Sequence, residues 1–234
     1  MQHKTVGVLG GMGPESTAYF FQRLIHLTPA HCDQDHIPVV IYNNPRIPDR
    51  TDAILHQGAS PVPELLRSIS ILEQAGADFI CIPCNTVHYF IEEMREASSI
   101  PILDLIHLVA QRVRERLPQA KAVGLLATEG TIRTGLYQRV FSDGGVEVVT
   151  PEPAQFPELS RAIKALKDGR KESAATQALA EGVISRGAEA VVLGCTEFSL
   201  VADALSLPVP LFDSVEILAE EAVRLALEPA QAAD

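Results

Sequence analysis

The chain has 234 residues, 47% hydrophobic and only 5% aromatic, with no tryptophan. That is enough for an aliphatic core in one large domain or in two of about 100 residues each. A formal net charge of −11 leaves no basic face for nucleic acid, and no apolar run approaches the roughly 20 residues that cross a bilayer.

From the start, "TVGVLG" (5–10) reads as a buried strand entered without a leader-like apolar segment. Four cysteines without framework spacing fit reduced thiols. The expectation is a cytoplasmic protein. "IPVVIYN" (37–43) and "DFICIP" (78–83) follow as strands, with a helix over "PVPELLRSISILEQAGA" (61–77) between them. "AVGLLAT" (122–128), "VEVVTP" (146–151) and "AVVLG" (190–194) form a second series, with a helix over "AATQALAEGVISRGA" (174–188). Short Val/Ile-rich runs that alternate with helices predict α/β architecture with parallel sheets. "EILAEEAVRLALE" (216–228) is an amphipathic helix that returns to cover the first series.

The two series repeat each other. "GVLGGMGPEST" (7–17) aligns without a gap on "GLLATEGTIRT" (124–134), pairing Gly11 with Thr128. "GADFICIPC" (76–84) rhymes with "GAEAVVLGC" (187–195), and each places a cysteine eight residues after its glycine. "IPILDL" (100–105) rhymes with "LPVPLFDS" (207–214). The expected organisation is two pseudo-symmetric α/β units with a site between them. The first unit spans 1–105 plus 212–234; the second spans 106–211.

Ligands of open parallel sheets bind beyond the carboxyl ends of the strands. Cys84 and Cys195 both fall there, as do Gly10–Gly13 and Thr128–Thr131. If the units face each other, one thiol lies on each wall of a cleft. Two opposed thiols suit two-base racemisation, in which one removes a proton from a carbon while the other delivers one to the opposite face. A helix N-terminus after each cysteine is expected to lower its pKa. Asn85, Thr86 and Thr196 are expected to cap those helices and to offer donors to a substrate carboxylate.

Other signals are weaker. Cys81 has Val192 as its counterpart and reads as core. Cys81-x-x-Cys84 has no second pair to complete a zinc site. "HCDQDH" (31–36) clusters ligand types, but neighbours in sequence seldom converge on a metal, so no metal is expected. "GGMGP" lacks full dinucleotide spacing and reads as close backbone approach to a small ligand. His88 either tunes Cys84 or packs. Glu197 binds a substrate ammonium, orients a thiol, or is a solvated helix-start glutamate. No lysine-bound pyridoxal signature is visible, so no cofactor is expected.

Taken together, "VGVLGGMGPEST" (6–17), "DQDHIPVVIYNNPRIPDRT" (33–51), "IPCNTVH" (82–88), "GLLATEGTI" (124–132) and "LGCTEF" (193–198) resemble the aspartate/glutamate racemase family over nearly the whole chain. The "PDRT" segment leans toward the aspartate branch. The resemblance implies a cofactor-independent two-cysteine racemase, two pseudo-symmetric α/β domains, a site between them and a homodimer. It implies that Asn85, Thr86 and Thr196 hold the α-carboxylate and amine. It places Gly11 and Met12 in the loop over the substrate and Thr128 in the opposite loop. It gives Arg50, beside Thr51, the side-chain carboxylate. A lysine with the same task is Lys164 or Lys167, with Lys167 preferred. An acidic protein that binds a dicarboxylic amino acid needs such a fork donor on physical grounds too. Two competing readings share the frame: an isomerase or decarboxylase of a dicarboxylic acid lacking the amine, and a non-enzymatic small-ligand binder.

Overall fold

A computed structural model describes residues 3–228. The first unit runs β1 (Val6–Gly10), α1 (Pro14–Leu27), β2 (Val39–Asn43), α2 (Arg50–Leu55), α3 (Val62–Gln74), β3 (Phe79–Cys81), α4 (Ile91–Ala97) and α5 (Leu105–Arg116). The second runs β4 (Ala122–Ala127), α6 (Glu129–Thr134), α7 (Leu136–Ser142), β5 (Glu147–Val149), α8 (Phe156–Lys167), α9 (Ala174–Ser185), β6 (Val191–Gly194), β7 (Leu211–Asp213) and α10 (Ser214–Leu227).

Both sheets are parallel, ordered β2-β1-β3 and β5-β4-β6-β7. Gly7 aligns with Ile80 across β1–β3, and its repeat partner Gly124 aligns with Val191 across β4–β6. Ile102 makes an isolated parallel bridge to Ile80 where β7 pairs with β6. The third rhyme of the sequence is therefore a fourth strand, complete in one unit and reduced to a single bridge in the other. All six strands expected from the sequence are present; β1, β3 and β6 are fully buried and β4 nearly so, as near-continuous apolar runs predict, whereas the edge strands β2 and β5 are partly exposed.

Helix ends follow local chemistry. α3 and α9 stop where Gly76 (φ +84°) and Gly187 (φ +98°) turn left-handed. Ala77 N–H then donates to Leu72 O, and Ala188 N–H to Val183 O, closing each helix in the same way. The core lies on both faces of the sheets. Val6, Val8 and Cys81 join the larger apolar cluster, whereas Leu9, Ile80 and Cys84 join a smaller one under α3. α10 packs against α1 and α5, and Arg23 of α1 donates to both carboxylate oxygens of Glu216 on α10. Residues 229–234, the end of the returning segment, lie outside the described residues.

The two units touch through small residues. A β-carbon added to Gly130 would stand 2.8 Å from Thr51 Oγ1, so α6 approaches α2 closely only because position 130 is glycine.

Packing and backbone conformation make separable demands on glycine. A β-carbon at Gly124 would meet Val183 Cγ2 at 2.5 Å, whereas one at Gly187 would meet nothing but would need a positive φ. Gly124→Ala is expected to cost about 1–3 kcal/mol by overpacking. Gly187→Ala is expected to cost about 1–2 kcal/mol by left-handed strain alone. Urea unfolding measures both; a further cavity-making change, Val183→Ala, should relieve the first loss and leave the second.

Candidate active site

The carboxyl ends of β3 and β6 deliver the two cysteines. Each strand is followed by its cysteine and then by a 3-10 turn, Thr86–Phe90 in one unit and Phe198–Ala204 in the other. Cys84 and Cys195 are 5% and 4% exposed, and both line one small inner pocket. Thr51, Asn85, Thr86, Thr128 and Thr196 complete that wall, with Met12, Asp49, Arg50, Lys167 and Glu197 at its outer side. These last five also line an outer vestibule of about 290 Å³, to which Gly11 belongs. The inner pocket holds only about 20 Å³, room for one water.

Gly11 shapes the vestibule by necessity. It has φ +98°, and a β-carbon there would stand 2.3–2.4 Å from backbone atoms of Asn44. Only glycine lets this loop run so close to its neighbour.

Thr86, Thr128 and Thr131 form a triangle of hydroxyls across the two units, at 2.8, 3.0 and 3.1 Å. Thr128 also caps α6 by accepting from Thr131 N–H. Asn85 is held from both sides: Tyr137 OH donates to its Oδ1 at 2.6 Å, and its Nδ2 donates to Ser214 Oγ at 3.1 Å. The amide is therefore committed to framing the pocket. Asn85 begins its turn in helical conformation without a side-chain cap, and Thr196 precedes the turn that Glu197 begins, also without one. The expected capping by Asn85, Thr86 and Thr196 is thus corrected: the residues that begin both turns, Asn85 and Glu197, are already helical and offer no extended cap position, and the Thr86 hydroxyl bonds Thr128 and Thr131 instead.

Electrostatics at Cys195 also differ from expectation. Its pKa lies well above the ordinary thiol value, first because of burial and then because of the neighbouring Glu197 carboxylate; Lys167 opposes the rise. A short 3-10 turn supplies too little dipole to reverse that. Cys195 Sγ donates to Glu197 Oε2 at 3.0 Å. Glu197 is 3% exposed, which removes the solvated reading, and its Oε1 has no hydrogen-bond partner among the described residues. That oxygen lies 3.9 Å from Lys167 Nζ. Burial pulls the Lys167 pKa down, but Glu197 and Cys195 outweigh it and hold the ammonium charged. Lys164 instead pairs with Asp168 on the surface, so Lys167 is the lysine at the pocket.

Arg50 is 8% exposed. It donates to Pro48 O at 3.1 Å and to Ile47 O and Met12 O at 3.4 Å, and its Nε is buried without a partner. Asp49 just before it caps α2 by accepting from Asp52 N–H. Sequence reasoning passed over Asp49, although it adjoins Arg50 in "PDRT". It also missed Tyr137, for which the sequence carries no signal. Away from the pocket, Cys81 is fully buried, with its thiol pKa raised by burial. Asp35 of "HCDQDH" accepts from the backbone N–H groups of His31 and Cys32. The segment is thus a self-capped turn, and the described residues hold no cluster of three or more metal-ligand side chains.

This frame has relatives. The Asp/Glu/hydantoin racemase family model matches residues 9–222. The chain belongs to that family. It is 33% identical over 224 residues to the broad specificity amino-acid racemase RacX of Bacillus subtilis, covering 93% of this chain and 96% of that one. Its structure is similar to the Picrophilus torridus aspartate racemase, with TM-score 0.86, 32% identity and coverage of 95% and 94% of the two chains. An aspartate racemase homologue from Pyrococcus horikoshii superposes with TM-score 0.75 at 29% identity, covering 96% of this chain and all of that one. The chain is accordingly a racemase of the pyridoxal-independent kind. Among the described residues no helix is long and apolar enough to cross a membrane.

The charge arrangement around Cys195 is directly testable. Glu197→Gln removes an anion beside the thiolate and should lower the Cys195 pKa; Lys167→Met removes a cation and should raise it. The pH profile of Cys195 carboxymethylation, followed by peptide mapping, reads both shifts. A rise in the Gln variant would remove Glu197 as a cause.

Proposed function

We propose that this chain racemises aspartate without a cofactor, with Cys84 and Cys195 as opposed acid and base. The observation that carries the reading is that two thiols from equivalent strand ends open into one small pocket beside Arg50 and Lys167. Glu197 accepts the hydrogen bond from Cys195 and so holds that thiol at the pocket wall. Its second oxygen, without a partner, is a natural acceptor for the substrate ammonium. Thr86, Thr128, Thr196 and the backbone around them face the α-carboxylate, and charge that develops on it is stabilised there. Arg50 and Lys167 take the side-chain carboxylate. By family likeness Cys84 serves the D-face and Cys195 the L-face. The inner pocket is far smaller than an amino acid, so the walls that carry Met12 and Arg50 must part for the α-carbon to reach both sulfurs.

A broader substrate range is the second reading, supported by the name of the Bacillus subtilis relative. The same proposal assigns 1–105 plus 212–234 to one unit and 106–211 to the other, in keeping with the packing of α10 on α1. It takes the protein to be a cytoplasmic homodimer, for which the exposed Phe21, Ile25 and Ile41 are candidate contacts.

In heavy water the purified protein should exchange the α-proton of aspartate with no added cofactor, seen by proton NMR, and chiral chromatography should show the mirror isomer. Cys84→Ser and Cys195→Ser should each lower kcat by about a hundredfold or more with unchanged thermal unfolding. A non-enzymatic binder would show ligand-dependent stabilisation without exchange. An isomerase or decarboxylase would instead turn over a dicarboxylate lacking the amine.

Arg50→Ala should raise KM for aspartate by at least tenfold, about 1.4 kcal/mol, and change KM for alanine little. An equal effect on both substrates would take the side-chain carboxylate away from Arg50 and favour the broader range.

A further inference from the structure

Two buried polar side chains behind the pocket occupy one and the same position of the repeat. His88 lies four residues after Cys84, and Ser199 four residues after Cys195. Each is 2% exposed, and neither lines the pocket. Each reaches the N-terminus of the helix that leaves the last strand of its own sheet.

In the first unit that helix is α5. Leu105 N–H donates to His88 Nε2 at 3.1 Å, which leaves the ring proton on Nδ1. Nδ1 then donates to Cys84 O at 2.9 Å. Burial holds the imidazole neutral, as a ring that accepts at one nitrogen and donates at the other must be. For the second sheet the helix is α10, which follows β7. Ser199 Oγ donates to Asp213 Oδ1 at 2.5 Å, and the same oxygen accepts from Val215 N–H at 2.8 Å to cap the helix. Asp213 is the repeat counterpart of Asp104, which caps α5 through His107 N–H.

The geometry points to His88 and Ser199 as paired positioning residues, each fastening one cysteine-bearing turn to the N-terminus of the helix that follows the last strand of its own sheet, so that the two thiols are aligned separately. The inference rests on the two-cysteine reading above. The fasteners differ in chemistry and in reach. His88 holds the carbonyl of Cys84 itself, whereas Ser199 holds the turn that begins just after Cys195. α5 and α10 pack on each other and Asn85 also reaches Ser214 at the start of α10, so the two turns share a base; the bonds of His88 and Ser199 are the contacts that act on one turn alone, and through them one sulfur can shift while the other stays.

The test uses the intact protein with His88→Ala, His88→Asn and Ser199→Ala. Iodoacetamide labelling of each thiol, resolved by peptide mapping, does not depend on turnover. His88→Ala should change the Cys84 rate by about tenfold and leave Cys195 within about twofold, and Ser199→Ala should do the reverse. His88→Asn, whose amide can still donate to Cys84 O, should stay near wild type and serves if the alanine variant does not fold. Equal changes at both thiols, or none at either, would overturn the proposal.

Isotope effects then separate alignment from loose packing. His88→Ala should raise the α-deuterium effect on kcat/KM for the enantiomer whose hydrogen Cys84 removes, and lower it for the other; Ser199→Ala should show the opposite pattern. Isotope effects that move the same way in both variants refute separate alignment. A wild-type chain that racemises nothing would sink the proposed function, while the labelling would still decide the fastening.

Discussion

A thiol that reaches a substrate carbon must leave water, and leaving water is what makes its thiolate costly. Everything around Cys195 answers that constraint. Burial raises its pKa, and the nearest anion, Glu197, raises it further. The resting sulfur is therefore a protonated thiol that donates to a carboxylate at 3.0 Å, with Lys167 close enough to keep that carboxylate from being an isolated buried charge. Under the proposed two-cysteine chemistry, such a site keeps its reactive form scarce until a substrate brings its own charges. That scarcity also spares a buried sulfur from oxidation, which follows thiolate character and exposure.

Duplication supplies the second sulfur, but it does not supply a copy of the surroundings. Glu197 occupies the repeat position of Thr86, and Thr196 that of Asn85. Cys195 thus donates to a carboxylate at a position where the repeat of Cys84 carries the Thr86 hydroxyl, itself bonded to Thr128 and Thr131. The backbone frame is shared because Gly7 and Gly124, and then Ile80 and Val191, keep the same register; side chains at the strand ends are free to diverge. A racemase gains from this. The two faces of an amino acid present its ammonium and side chain differently to the two walls, so identical walls would fit neither face well.

Most of the frame was legible because it is written in local signals. Strands came from apolar runs and helix ends from nearby glycines, whereas the third rhyme was visible as a repeat but its strand character emerged only from the structure. Cys81 and Cys84 separated correctly into core and pocket because only the second recurs in the repeat. The rest needed the third dimension. Tyr137 meets Asn85 from a helix in the other unit, and no spacing in the chain announces that pairing. The caps expected of Asn85 and Thr196 failed because propensity does not reveal that the turns are entered in helical conformation, at Asn85 and at Glu197. The thiol pKa went the wrong way for a related reason: a dipole argument needs the length of the helix, and burial needs the far wall of the pocket.

Charge balance is where aspartate and a broader range of substrates part. The inner pocket carries Asp49 and Glu197 against Arg50 and Lys167, two anions and two cations. A neutral amino acid, itself a zwitterion, leaves that balance untouched. Aspartate adds one negative charge, and the pocket can meet it only by turning a cation from an internal partner to the ligand. Arg50 is suited to this, because its present partners are backbone carbonyls at 3.1–3.4 Å and its Nε is unused. Lys167 is less free, since it offsets Glu197. Preference for a dicarboxylate therefore turns on how far Arg50 gains by exchanging weak carbonyl contacts for a carboxylate in a buried site, and charge-assisted pairing favours that exchange.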